Sequence, residues 1–272
     1  VKVVRTIADL RRELADREGI GFVPTMGFLH EGHLSLIRRA REECATVVVS
    51  IFVNPAQFGE GEDLDAYPRD LDRDLELAGA ADLVFVPPVS EIYPDGFATT
   101  VEVHGITDVL CGAARPGHFA GVTTVVTKLL NIVGPEVAYF GQKDAQQAIV
   151  IRKLVADLNM PVRIEVCPTV REPDGLAMSS RNAYLSAGER ERARGLNLAL
   201  RAAEEAAARG GDVLAAAHEQ LQQAGLEPEY VELRSAKDLA PVERVNGSTL
   251  LAVAAQVGRA RLIDNTILTG DK

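Results

Sequence analysis

"IGFVPTMGFLHEGH", Ile20 to His33, begins as an apolar run, turns through Pro-Thr-Met-Gly, and ends on two histidines three residues apart. Ile20–Val23 is short and lacks polar alternation, as expected of a parallel strand buried on both faces. A helix starting near Glu31 would place His30 and His33 in its first turn and approach. There, free backbone N–H groups and the helix dipole attract anions. Strand, glycine-containing turn and helix N-terminus in that order open a doubly wound α/β unit.

Working outward, further strand-like runs appear at Thr46–Val53, Leu83–Val86, Val137–Phe140 and Val162–Val166. Between them, "HLSLIRRAREEC", "DLDRDLELAGA", "GVTTVVTKLLNIV" and "AQQAIVIRKLVADLN" carry helical spacing, with Leu34, Ile37, Ala40 and Cys44 on one face of the first. The N-terminal "VKVVRTIADLRREL" shows helix-like charge spacing. The texture changes near Arg171. Two Ala-rich helices follow, the first with Ser186 and Glu189 placed as a capping pair. Three strand candidates come last, "EYVELRS", "TLLAVAAQV" and "ARLIDNTIL". The expected fold is α/β: a Rossmann-like doubly wound parallel sheet over residues 1–170 and a smaller C-terminal α+β domain over 171–272.

Net charge is −10, from 29 basic and 39 acidic residues, which argues against a phosphate-backbone footprint and hence against nucleic acid as a partner. No apolar run approaches the roughly 20 residues of a membrane helix. The start of the chain lacks the apolar core of a signal peptide. Cys44, Cys111 and Cys167 have no metal-ligand spacing and read as reduced, packed thiols, so a cytoplasmic location is expected.

In open α/β sheets, ligands lie beyond the carboxyl ends of the strands. The segments found there are Pro24–Gly27, Asn54–Phe58, Pro87-Pro88 and Gly141–Asp144. Lys143 can meet a phosphate and Asp144 a ribose hydroxyl, although an isolated Lys-Asp is more commonly a surface ion pair. "MSSRN", Met178 to Asn182, combines two hydroxyls with a guanidinium fork, which suits a phosphate clamp or, equally, a capping turn with a solvated Arg. "RPGHF" adds Arg115 and His118. His104 and His218 read as structural or surface residues. Asp70, Asp72 and Asp74 read as a solvated helix face, with a magnesium role for Asp74 as the minor alternative.

Taken in order, "PTMGFLHEGH", "SIFVNPAQF", "YPRDL", "RPGHFAGV", "YFGQKDAQQ" and "MSSRNAYLS" resemble the pantoate–β-alanine ligase family of the nucleotidyltransferase superfamily. The superfamily's HIGH-type element appears as His30–His33 and its KMSKS-type loop as Met178–Arg181. The resemblance implies an ATP site lined by Met26, Gly27, Phe28, Leu29, His30, Glu31, Gly32, His33, Gly141, Gln142, Lys143, Asp144, Val170, Met178, Ser179, Ser180 and Arg181. It implies that Gln57 and Gln147 hold pantoate, with Gln57 also near β-alanine. His33 takes the proton-donor role, and His30, Lys143, Ser179, Ser180 and Arg181 complete the catalytic set. Gln142 stands where Glu is common in the family, and Ala145 where an aromatic is common. Neither departure touches the Lys, Asp or last Gln of the motif.

The implied reaction is ATP-dependent amide formation through pantoyl adenylate, with release of AMP and pyrophosphate. Mg2+ would travel with the phosphates rather than occupy an all-protein cage. A homodimer is implied as well. Two other readings stay open on the residues alone: another small-molecule nucleotidyltransferase of the superfamily, and a non-catalytic nucleotide-binding module.

Overall fold

The computed structural model describes residues 1–270, and they form two compact units. Where the sequence suggested one cut after residue 170, the first unit comprises Val1–Gly141 and Val150–Pro168. The second comprises Gln142–Ile149 and the chain from Thr169 onward.

The first unit is built on six strands: β1 (Lys2–Val4), β2 (Ile20–Thr25), β3 (Thr46–Ile51), β4 (Leu83–Phe85), β5 (Val137–Gly141) and β6 (Arg163–Cys167). They lie in the order β1-β4-β3-β2-β5-β6, and every pairing is parallel. Connecting helices are α1 (Ile7–Leu14), α2 (Glu31–Glu43), α3 (Leu71–Leu77), α4 (Val89–Ile92), α5 (Cys111–Ala114), α6 (His118–Val133) and α7 (Ala145–Asp157), the last belonging to this unit from Val150 on. β1 was not foreseen: only three residues long, it precedes an α1 capped by Thr6, and helix-like charge spacing masked it.

From β2 the chain winds one way to β3, and from β5 the other way to β6, so the switch point lies at the carboxyl ends of β2 and β5. Around it the core packs Val23, Leu29, Ile37, Ala40, Val47, Val49, Val84 and Tyr139, all essentially inaccessible. Gly21 is required there, because a Cβ would come within 2.7 Å of Cys44 Sγ. All three cysteines are buried free thiols.

In the second unit, α8 (Ala187–Ala193), α9 (Gly195–Ala208) and α10 (Val213–Gln223) precede an antiparallel sheet. Its strands are β7 (Pro228–Ser235), β8 (Gly247–Val257) and β9 (Ala260–Gly270), in that order. Ser186 and Glu189 form the reciprocal capping box at the start of α8. Leu196, Leu200 and Ala203 of α9 share a core with Leu221, Leu251, Val253 and Val257. No helix among the described residues is long and apolar enough to cross a membrane.

Candidate active site

β2 ends at Thr25, and the next residues make a sharp turn. Gly27 at φ +84° and Phe28 at φ +50° are both left-handed, a costly pair because only glycine adopts that region freely. Leu29 then drops into the core with no accessible surface, a burial that contributes about 1.5–3 kcal/mol to anchoring the turn.

His30 is the N-cap of α2. Its Nδ1 accepts from Gly32 N at 3.2 Å, and His33 Nδ1 accepts from His30 N at 3.3 Å. The two imidazoles therefore form a capping box, a task ordinarily given to Ser, Thr, Asp or Glu. With both Nδ1 atoms accepting, each ring carries its proton on Nε2. The ring centroids are 4.0 Å apart. The arrangement presents two Nε2–H donors beside the positive end of a 13-residue helix, which is chemistry for stabilising phosphate charge.

Asp74 does not belong to a solvated face. It is 1% exposed, with Oδ2 accepting from Phe28 N at 2.7 Å and Oδ1 from Leu29 N at 2.6 Å. Burial raises its pKa above the ordinary carboxylate value, against the pull of those two amides. Asp70 caps α3, and Asp72 is exposed.

Beyond β3, Asn54 opens a 3-10 turn over Pro55–Gln57. Asn54 is 1% exposed and uses its whole amide. Its Oδ1 accepts from Ala56 N and from Tyr93 Oη, and its Nδ2 donates to Gly121 O and to Gln57 Oε1. The Gln57 carbonyl is thereby engaged, and its Nε2 donates to Met26 Sδ at 3.1 Å. Burial pushes the Tyr93 hydroxyl up to about 12, so it remains a donor at neutral pH. Arg115 pairs with both oxygens of Glu62 and also donates to Gln57 O, which His118 Nδ1 approaches at 2.9 Å. From the sequence, Asn54 and Tyr93 had no binding or positioning role, and Asp74 only the minor alternative of a magnesium ligand. A polar residue at a strand end marked the first; nothing local marked the other two.

In the second unit, Gln142–Asp144 form a 3-10 turn at the start of α7, and Lys143 lies 3.7 Å from Asp144. Asn265 on β9 holds this turn, donating to Gln142 O and Lys143 O while accepting from Gln142 Nε2. Gln147 is half-buried in the first turns of α7. Val170 O accepts from Met178 N, and Arg171 bridges to Ala177, so a small hairpin delivers "MSSR". Ser179 caps the 3-10 turn Ser180–Tyr184 through Arg181 N, and Ser180 is buried. Asn182 ties the turn down to Glu172 and Ala177 O. Among the described residues, no group of three or more His, Cys, Asp or Glu side chains is placed to hold a metal ion.

Residues 2–267 match the model of the Pantoate-beta-alanine ligase family. A pantothenate synthetase of Pelotomaculum thermopropionicum is 54% identical, with 98% of each chain covered. Among solved structures, the pantothenate synthetase of Thermus thermophilus superposes with TM-score 0.96 at 49% identity, covering 99% of this chain and 100% of that one. A pantoate-beta-alanine ligase from Francisella tularensis, complexed with beta-gamma ATP and beta-alanine, gives TM-score 0.84 at 36% identity over 98% and 97% of the two chains.

Proposed function

Because the chain belongs to the pantoate–β-alanine ligase family, we propose a division of labour among its residues for the ATP-driven joining of (R)-pantoate to β-alanine. The enzyme forms a C–N amide bond. A pantoate carboxylate oxygen attacks the α-phosphorus of ATP, giving pantoyl adenylate and pyrophosphate. The β-alanine amine then attacks the activated carbonyl, giving pantothenate and AMP. Neither step needs a protein nucleophile, so catalysis consists of alignment and charge stabilisation.

The observation that carries the assignment is the histidine capping box. With both Nδ1 atoms engaged by backbone N–H groups, His30 and His33 turn Nε2–H donors toward the charge that grows as pyrophosphate leaves. Met26–His33 supply the backbone for ATP in the first unit, together with Gly141. Gln142–Asp144, Val170 and Met178–Arg181 supply the rest, with Lys143 and Arg181 as cationic partners of the phosphates and Ser179 and Ser180 as hydroxyl donors. Gln57, its carbonyl held by Asn54, offers Nε2–H to pantoate and lies near β-alanine; Gln147 is the second pantoate ligand. Mg2+ would be held chiefly by phosphate oxygens and water, and would supply neutralising charge to the leaving pyrophosphate. The working form is a cytoplasmic homodimer with no nucleic-acid partner, in keeping with the acidic composition.

One assay tests the reading. With ATP, pantoate and β-alanine all present, AMP and pantothenate should appear in equal amounts. Omitting β-alanine should give about one equivalent of pyrophosphate per site, as pantoyl adenylate builds up on the enzyme, and no burst of free AMP. Sustained pyrophosphate release without β-alanine would instead favour a transferase that stops at nucleotide transfer.

A further inference from the structure

Asp74 and Arg73 sit on α3, more than forty residues downstream of the Gly27–Leu29 turn, and grip that turn from both of its polar sides. The carboxylate takes the two successive amides of Phe28 and Leu29, one oxygen each. The guanidinium donates to Leu29 O at 3.0 Å and lies 5.3 Å from the centre of the Phe28 ring. We infer that Asp74, assisted by Arg73, is a positioning residue that holds the strained turn open and so sets the angle at which His30 and His33 meet the nucleotide.

Three observations lead there. First, the turn requires a partner. A left-handed Phe28 following a left-handed Gly27 is a conformation the chain leaves readily unless neighbouring structure enforces it. Successive N–H groups in such a turn make an anion-binding concavity, and here an internal carboxylate fills it. Charge-assisted bonds of this kind are about twice as strong as neutral ones. Second, the fit is tight. A Cβ on Gly27 would fall 2.9 Å from Asp74 Oδ2 and 3.0 Å from Ile51 Cγ2, so the carboxylate touches the turn itself. Third, burial raises the Asp74 pKa, a cost that a merely solvated helix residue would not bear. The backbone from Leu29 runs straight into the His30 cap, with no intervening residue to absorb a shift. The inference rests on the assignment of His30 and His33 to the phosphates.

The test uses Asp74→Asn in the full-length enzyme. The variant keeps the volume of the side chain but sets an NH2 against the Phe28 or the Leu29 amide. Single-turnover adenylate formation should fall by on the order of 10²-fold, since small misplacement of aligned groups costs about that much. The second half-reaction, started from supplied pantoyl adenylate, should keep its rate, and pantoate affinity should hold. Hydrogen exchange should accelerate at the Phe28 and Leu29 amides and stay slow in β2 and β3.

Unchanged protection at those two amides, or equal losses in both half-reactions, would overturn the inference. So would lost protection with adenylate formation intact. If Asp74→Asn does not fold, Arg73→Ala decides: its side chain is 45% exposed, and it should show a smaller loss in the same half-reaction only. A full-rate His33→Ala would mark failure of the histidine assignment instead, whatever the exchange result.

Discussion

At the scale of single residues, the active-site side chains are held by bonds that dictate what each can offer. His33 accepts the His30 amide through Nδ1, so its remaining donor is Nε2–H. Loss of one preorganised donor to developing charge costs roughly 10²–10³ in rate. His33→Ala should therefore cripple adenylate formation while leaving the fold intact, and supplied pantoyl adenylate should restore most pantothenate synthesis. Failure with the supplied intermediate would give the histidine another job. Gln57 is fixed in the opposite sense, with its carbonyl on Asn54 and its amide nitrogen left to donate. Gln57→Ala removes that donor and leaves the buried Asn54 amide short of one acceptor. Pantoate binding should weaken by about 1–3 kcal/mol, roughly fivefold to 150-fold. ATP affinity, read by calorimetry on the same variant, should move little. Equal loss for both ligands would argue that Gln57 supports the fold rather than the substrate.

At the scale of elements, the 3-10 turn that carries Gln57 depends on how closely α6 approaches it. A Cβ on Gly121 would fall 2.1 Å from Ala56 O and 2.6 Å from Gln57 Cα, well inside contact distance. Gly121→Ala must push the turn away. It would do so despite the better helix propensity of alanine, worth only about 1 kcal/mol. We expect a lower melting temperature, an overpacking cost of about 1–3 kcal/mol, and impaired pantoate binding in the same variant. A stabilised protein with normal affinity would show that the turn can yield. The cap of α8 behaves differently. Ser186 and Glu189 close a solvent-exposed capping box on α8, whose loss should cost about 1 kcal/mol without touching activity.

At the scale of whole units, charge networks set the response to acid. Glu172 accepts from Arg190 and from Asn182, the residue that ties down the Ser180–Tyr184 turn. Arg190 holds the Glu172 carboxyl below its ordinary value of 4.5. The folded protein thus binds that proton less readily than the unfolded chain. The stabilisation is complete above about 4.5 and is lost as pH falls through the lower, folded value. Thermal melts from pH 7 to 3 should show a flatter acid limb for Glu172→Gln than for the parent. Coincident limbs would remove Glu172 from the acid response. Deeper in the same unit, Arg171 forks onto both oxygens of Asp264, which is only 2% exposed. Asp264→Ala leaves the guanidinium, 26% exposed, with Gly175 O as its remaining partner, and should cost about 1–3 kcal/mol in denaturant unfolding.

The α/β class, the five long or strongly apolar strands, the four longer helices between them, though not the short α4 and α5, and the histidine motif were legible in the sequence. Each rests on local information: hydrophobic period, turn residues and spacing along the chain. Parallel strands buried on both faces announce themselves as unbroken Val and Ile runs, and the Ser186 cap is written within four residues. Three-residue β1 fell below that threshold. Asp74 was misread for a different reason. "DLDRDLEL" has the local pattern of a solvated acidic face, and nothing within it shows that the Phe28 and Leu29 amides, 46 and 45 residues away in the chain, need an acceptor. Asn265 is similar, its partners being the carbonyls of Gln142 and Lys143 more than 120 residues earlier. Burial and hydrogen-bond partnership belong to pairs of segments. The sequence by itself determined which segments form and what chemistry they carry; only the tertiary structure decided which polar groups stand in water and which hold the histidine turn in place.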